Sequence, residues 1–366
     1  MIDIQSDVSL LPYNTFQVDV QAKYFVDIHQ EEDLEELFET GIFAKEKHLI
    51  LGGGANVLFT QDINGLVIKV SLKGIECLSG LDVSSLKSPL PPFQKGGSKV
   101  LVQAMAGEDW SGFVEYCNRK GRAGIENLIA IPGQVGTAPV SNIGAYGMEI
   151  GERVVWVEGY DLEKKEWKKF DHEECGFAYR DSIFKSELRG KFLITRVVFA
   201  LEQLSEEYLF KLDYPDVQRV LEERSINILD CRASLAMTPN SLEQVSEIIS
   251  EIRASKLPDP NKIGTAGSFF ANPIIKKSDF DLLIQKFPEL ISYPHGDEVK
   301  LSAGQLIDLA GLKGYSNGKA GTSSKHALIV INEGGSAEDV LEVVEHIQIV
   351  VKEKFGVALK PEVVYI

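Results

Sequence analysis

Apolar and polar positions follow two rhythms along the chain. Short apolar runs bounded by turn residues predict strands at His48-Leu-Ile-Leu51, Gly65-Leu-Val-Ile-Lys-Val70 and Lys99-Val-Leu-Val-Gln-Ala-Met105, the first running straight into Gly52-Gly53-Gly54. From Trp110 the spacing changes. Trp110, Phe113, Val114 and Cys117 share one face of a helix that stops at Gly121. A second helix is predicted from Ser241, with Ser241 and Gln244 as a capping box, through Leu242, Val245, Ile248, Ile249 and Ile252. Lys256-Leu-Pro-Asp-Pro260 ends it, because two prolines cannot extend a helix. A third begins near Ser336, buries Val340, Val343, Val344, Ile347 and Val351, and stops before Gly356. These stripes predict core packing rather than chemistry.

The composition changes after Pro258 and Pro260 to a segment containing Gly, Phe and Asn, which places a domain junction at about residue 257. Residues from about 84 to 99 hold three prolines and no periodicity, and read as an exposed insertion between two strands. A chain of 366 residues is too long for one compact core, and 44% hydrophobic with 25% charged residues excludes disorder and fibre. Thirty-eight Lys and Arg against 54 Asp and Glu give a formal charge of −16, which repels phosphate backbones and anionic membrane surfaces. Nucleic acid and membrane insertion are therefore not expected. An anionic ligand has to be held by a few local cations and backbone N–H groups. Cys77, Cys117, Cys175 and Cys231 form no CxxC and the six histidines no HxxxH pair, so no metal site is expected, and the cysteines read as reduced core thiols. The residues from Met1 to Leu10 lack the features of a signal peptide, and no apolar run approaches bilayer length. A cytoplasmic protein is expected.

Two segments carry candidate chemistry. In Leu51-Gly-Gly-Gly-Ala-Asn-Val-Leu58 a strand enters three glycines, which lets backbone N–H groups approach a phosphate. Val57 stands where a Rossmann fingerprint has its third glycine, and no Lys-Ser or Lys-Thr follows as in a P-loop. By itself this segment reads equally well as a tight turn. The second, Ile131-Pro-Gly-Gln-Val-Gly-Thr-Ala-Pro-Val-Ser-Asn-Ile-Gly-Ala-Tyr-Gly147, is a long uncharged run of glycines and small hydrogen-bonding groups. Burying it leaves many backbone groups in need of partners, and a flat cofactor supplies them.

These segments, in this order, resemble those of the UDP-N-acetylenolpyruvoylglucosamine reductases (MurB). The likeness continues through Phe177-Ala-Tyr-Arg-Asp-Ser-Ile-Phe184, Lys256-Leu-Pro-Asp-Pro260, Ala266-Gly-Ser-Phe-Phe-Ala-Asn-Pro273, the run from Lys300 to Gly314, and Pro361-Glu-Val363. It spans nearly the whole chain from Asn14 onward apart from the insertion. The segment holding Tyr214 is similar to the subclass with an extra tyrosine loop over the substrate.

The resemblance implies an α+β fold: a two-lobed FAD-binding fold of the vanillyl-alcohol-oxidase (PCMH) type plus a C-terminal α/β substrate-binding domain. Residues 1–72 then form the first lobe, to which the tail 357–366 returns, residues 73–257 the second, and residues 258–356 the C-terminal domain. It implies an enzyme that binds FAD non-covalently, takes hydride from NADPH, and reduces the enolpyruvyl ether of UDP-N-acetylglucosamine enolpyruvate to UDP-N-acetylmuramate, a peptidoglycan precursor. The first loop offers Asn56 and no His or Cys for a covalent flavin bond, in agreement. The implied cofactor contacts are Gly52, Gly53, Gly54, Ala55, Asn56 and Val57 in the first segment, and Gly133, Gly136, Thr137, Ser141, Asn142 and Gly144 in the second.

Hydride delivery to the terminal enolpyruvyl carbon leaves negative charge on the carbon beside the carboxylate. Arg180 matches the family's arginine at that carboxylate, for which a planar guanidinium is suited. Glu362 matches the C-terminal glutamate, which has to hold or share a proton to help an enediolate. Ser268 matches the serine that protonates the carbanion. Taken singly, Arg180 reads as a surface or salt-bridge residue, Ser268 as a turn residue and Glu362 as a solvated carboxylate; the joint match gives them roles. The resemblance further points to Tyr214, Lys256, Asn272 and Lys300 around the diphosphate and uridine. Val364 departs from relatives that carry arginine after Pro-Glu-Val. Two other readings are a flavin oxidase of the same cofactor fold, which leaves Gly-Ser-Phe-Phe and Pro-Glu-Val unexplained, and a non-catalytic nucleotide-sugar-binding regulator, which intact Arg180, Ser268 and Glu362 oppose.

Overall fold

The computed structural model describes residues 2–78, 98–223 and 241–366. Residues 84–97 of the expected insertion, Cys231, and the Ser241 side chain on which the expected capping box rests lie outside the described residues. The chain forms two compact units, one built from the residues through Ser6, Tyr24–Gly53 and Asn64–Arg253, the other from Asp7–Lys23, Gly54–Ile63 and Ala254–Ile366.

The larger sheet of the first unit is antiparallel, in the order Glu166–Asp171, Val154–Asp161, Phe192–Gln203, Lys99–Met105, Ile75–Leu78, with Arg122–Ala123 also paired to Phe192–Gln203. Phe192–Gln203 is buried along nearly its whole length, and its residues are apolar on both faces except at Thr195, Arg196 and the last two positions. The expected helix forms at Trp110–Arg119, with the Asp109 carboxylate accepting from the Gly112 N–H at 2.8 Å at its start. It buries Trp110, Phe113, Val114 and Cys117 as their spacing requires, and Phe113 packs on Phe199 with ring centroids 5.0 Å apart. Each such side chain contributes about 1.5–3 kcal/mol by leaving water. The helix Ser241–Lys256 likewise buries Leu242, Val245, Ile248, Ile249 and Ile252 and ends before Pro258. In the smaller sheet His48–Leu51 pairs in parallel with Ile63–Val70, setting Leu51 beside Lys69.

The second unit centres on Phe16, Phe269 and Phe270, all at or below 1% exposure, with Phe16 edge-on to Phe269 at 5.9 Å. A three-stranded antiparallel sheet runs Ile274–Lys276, Glu298–Leu301, Ser292–His295. The helix Ala337–Phe355 has the predicted limits for the predicted reasons. Ser336 Oγ accepts from the Asp339 N–H at 3.3 Å, the Asp339 carboxylate accepts from the Ser336 N–H at 2.8 Å, and Gly356 closes the helix at φ +71°. Val57–Leu58, just past the three glycines, pairs in parallel with Val364–Tyr365 at the end of the chain.

Candidate active site

In the first unit the start of the first glycine segment, Leu51–Gly53, lies against the second segment. A Cβ on Gly53 would stand 3.0 Å from Gly133 Cα, so backbone meets backbone where no side chain fits. The second segment is pinned from below: the Trp110 N–H donates to Gly133 O, the Val135 N–H to Glu108 O and the Gly136 N–H to Ala106 O, at 3.1, 2.9 and 2.9 Å. Thr137 and Gln134 cap the short turn Val135–Thr137 reciprocally, Thr137 Oγ1 donating to Gln134 O at 2.8 Å and accepting from the Gln134 N–H at 3.2 Å. Gly52, Gly133 and Ser141 are half-buried, as an approachable surface requires.

Further along that segment the loop closes around Arg180. The guanidinium donates from Nη2 to Gly144 O at 2.6 Å and from Nη1 to Asn142 O at 3.3 Å, and Nη1 lies 3.9 Å from Glu149 Oε1. A tight turn holds Arg180 at φ +57°, with Ala178 and Asp181 exchanging both backbone hydrogen bonds. Asn142 is 2% exposed; its amide donates to Glu149 Oε2 and Ala178 O, each at 2.9 Å, and accepts from the Gly151 N–H at 2.8 Å. Its side chain thus shapes the loop from inside. Tyr214 is exposed and sits edge-on to Tyr146 at 5.1 Å. Tyr146 hydrogen-bonds to Arg253, which donates to Ala130 O at 3.1 Å. Burial raises the Tyr146 phenol and lowers the Arg253 guanidinium from their ordinary values, each partly offset by the other. Asn127 ties the two loops, donating to Tyr146 O at 3.1 Å and to Lys211 O at 2.8 Å.

The remaining candidates belong to the second unit. Gly54 O accepts from the Thr15 N–H at 3.1 Å, and Ala55 follows half-buried. Asn56 joins the first glycine segment to the C-terminus: its Nδ2 donates to Glu362 O at 3.3 Å and its O accepts from the Val364 N–H at 3.1 Å. Val364, the position of the departure from relatives, thus serves through its backbone and pairs with Val57. Ser268 is exposed beside buried Phe269 and bridges Ile329. The Glu362 N–H donates to Phe269 O at 2.8 Å, which brings the Ser268 and Glu362 segments side by side. Asn272 Oδ1 accepts from the Ala303 N–H at 2.9 Å, and Lys300 pairs with Ile274, two residues beyond Asn272, its Nζ 5.8 Å from the Tyr293 ring. Lys256 is the last residue of its helix and half-buried.

Arg180 and Tyr214 thus fall in the first unit, and Ser268, Glu362, Lys256, Asn272 and Lys300 in the second. Sequence reasoning passed over Gln134, Glu149 and Arg253, whose contacts come from folding rather than spacing. The signal available for Glu149 was a carboxylate at the end of an otherwise uncharged run. Among the described residues no group of three or more His, Cys, Asp or Glu can hold a metal ion, and no helix is long and apolar enough to cross a membrane.

The profile for an FAD binding domain matches residues 22–162, and that for the UDP-N-acetylenolpyruvoylglucosamine reductase C-terminal domain matches residues 259–366. The solved UDP-N-acetylenolpyruvylglucosamine reductase (MurB) of Thermus caldophilus has the same fold, at a TM-score of 0.64 and 22% identity, covering 100% of this chain and 99% of that one. The fold is therefore α+β, an FAD-binding part followed by a C-terminal domain of the MurB type. Among relatives named UDP-N-acetylenolpyruvoylglucosamine reductase, that of Chromobacterium violaceum is 40% identical over 99% of this chain and 98% of its own length, and that of Flavobacterium johnsoniae 39% identical over 99% of each. Such identity from end to end carries more than a shared fold, and by it the chain belongs to the UDP-N-acetylenolpyruvoylglucosamine reductase family.

Proposed function

We propose that this chain reduces the enolpyruvyl ether of UDP-N-acetylglucosamine enolpyruvate to UDP-N-acetylmuramate with NADPH, through FAD bound without a covalent link, as a step in making peptidoglycan precursors. The observation that carries it is end-to-end identity with reductases of that name. The residues fit the cofactor. Gly53 and Gly133 meet backbone to backbone, and half-buried Gly52 lies against the side chains of Thr137 and Gln134, so the two segments bring glycine backbone and small polar groups to one place, as a diphosphate-binding surface requires. We assign the FAD-holding lobes to residues 1–72 with 357–366 and to 73–257, and the substrate domain to 258–356. The pairing of Val57–Leu58 with Val364–Tyr365 supports the return of the tail. The free thiols of Cys77, Cys117 and Cys175 support a reducing, cytoplasmic setting.

FAD held on the two glycine segments would supply the hydride transfer, from NADPH to the terminal carbon of the enolpyruvyl group. The chain's own residues do the rest. Gly52, Gly53, Gly54, Ala55, Asn56, Val57, Gly133, Gly136, Thr137, Ser141, Asn142 and Gly144 form or shape the cofactor surface. Arg180, its guanidinium fixed through Gly144 O and Asn142 O, holds the substrate carboxylate and meets the charge that grows beside it. Glu362, carrying a proton, stabilises the resulting enediolate, and Ser268 Oγ gives its proton to the carbanion carbon. Lys256 and Lys300 neutralise the UDP diphosphate. Asn272, whose Oδ1 already accepts from the Ala303 N–H, contacts the UDP part through its amide N–H groups. Tyr214 contacts the UDP part. The test is anaerobic: NADPH must bleach the bound flavin, and the UDP-enolpyruvyl sugar must restore its colour. Purified protein that takes up no flavin, or reduced flavin that the sugar does not reoxidise, overturns the assignment.

A further inference from the structure

Lys69 carries a positive charge to the place where the two glycine segments meet. It stands on Ile63–Val70 beside Leu51, the residue before Gly52. It is only 9% exposed, and its Nζ donates to two neutral acceptors, Val70 O at 3.1 Å and Gln134 Oε1 at 3.5 Å. Gln134 directly follows Gly133, and its Oε1 is 3.4 Å from where a Cβ on Gly52 would stand. One amine therefore reaches both segments through one side chain. Burial is the largest influence on it and lowers its pKa, while Asp27 attracts the charge and opposes that shift. A buried ammonium whose hydrogen bonds go to neutral oxygens is costly unless a negative charge compensates it, and a bound diphosphate supplies that charge.

We propose that Lys69 is a cofactor-binding residue whose ammonium neutralises the diphosphate of FAD, which rests on the FAD reading above. Glycine N–H groups supply dipoles but no net charge, and the chain's −16 works against a doubly anionic linker. A compact lysine charge beside those dipoles meets the need that composition alone sets out. The other role the contacts allow is internal, an electrostatic partner of Asp27, and this role is blind to phosphate.

Flavin-free full-length protein is titrated with FAD and with riboflavin, which lacks phosphate, following flavin fluorescence. Lys69→Met must raise the FAD dissociation constant about tenfold or more, the scale of one charge-assisted hydrogen bond, and leave that of riboflavin nearly unchanged. Lys69→Arg keeps the charge and must retain most of the FAD affinity. Equal weakening of both flavins, or FAD binding by Lys69→Met as tight as the parent's, overturns the proposal. Lys69→Gln serves if the methionine variant does not fold. The parent needs no substitution to be informative: its FAD affinity must fall with added KCl more steeply than its riboflavin affinity, and equal slopes count against the proposal. A parent that binds no FAD sinks the functional reading itself, whereas a parent and Lys69→Met that bind it alike sink only the role of Lys69.

Discussion

The Gly144 carbonyl accepts the Arg180 Nη2 proton at 2.6 Å, so the loop proposed to face the cofactor also sets the pose of the arginine proposed to face the substrate. Glu149 braces both, with Oε1 3.9 Å from Arg180 Nη1 and Oε2 accepting from Asn142 Nδ2 at 2.9 Å. Removing it should misplace the guanidinium without touching the NADPH step. Glu149→Ala is expected to slow reoxidation of reduced flavin by the UDP-enolpyruvyl sugar by about 10–100-fold, as small misplacements do, with flavin reduction by NADPH near the parent rate. Glu149→Gln keeps an acceptor for Asn142 and should recover most of the loss. Stopped-flow traces of the two half-reactions decide it, and equal slowing of both would assign Glu149 to general stability.

Gly136 illustrates a glycine whose reason differs from the one its motif suggests. A Cβ there would lie 2.5 Å from Ala106 Cβ and 3.0 Å from Ala106 Cα, so the residue is small because the strand end beneath it leaves no room. Gly136→Val is therefore expected to cost about 1–3 kcal/mol of stability by overpacking, with flavin loss as a consequence. Thermal melts of the flavin-free protein separate the two. An unchanged midpoint alongside lost flavin would mean that this glycine serves the cofactor directly.

Much of the fold was legible where local signals agree. Ser336, the stripe from Val340 to Val351 and Gly356 each mark the same helix, and the structure places it at Ala337–Phe355. Phe192–Gln203 was not read as a strand, since Thr195 and Arg196 split its apolar residues into two shorter stretches. At the site, the glycine segments stood out because absent side chains are visible in a sequence. Glu149 and Arg253 did not: Arg253 reaches Ala130 across 123 residues, a contact that spacing cannot announce. The chemistry of Ser268 and Glu362 came only through the resemblance, and nothing local distinguishes a turn serine or a terminal glutamate from many others.

Stability should fall in alkaline solution through the buried thiols. Burial, with Glu174 and Asp171 adding to it, pushes Cys175 from 9.0 up to about 12, and burial pushes Cys117 up as well. A folded pKa above the unfolded one means the folded state keeps a proton that the unfolded state releases. The contribution is full below pH 9 and is lost as pH rises toward 12, at up to about 1.4 kcal/mol per pH unit for each thiol. Urea melts at pH 8 and 10 should show the decline, and Cys175→Ala should flatten it relative to the parent. A variant with the parent's slope would show that other groups govern the alkaline limb.

The two half-reactions should separate at Ser268. The side chain is exposed, and the backbone around it is held by the bridge to Ile329 and by the Phe269 N–H on Leu328 O at 3.0 Å. Ser268→Ala should therefore leave the melting temperature and flavin content close to the parent's. Flavin reduction by NADPH uses no proton from this residue, whereas completing the enolpyruvyl reduction needs a donor at the carbanion carbon, a role worth about 10²–10⁴-fold. Stopped flow should find the first step intact and the second slowed by that order. Ser268→Cys, with a more acidic proton on a longer bond, should recover part of the rate. Arg180→Ala should also slow reoxidation, but with weakened binding of the UDP-enolpyruvyl sugar, because the arginine holds the carboxylate before charge builds up as well as during it. Slowed reduction by NADPH with unimpaired reoxidation in Ser268→Ala would instead place the serine at the nicotinamide and remove it from the proton transfer.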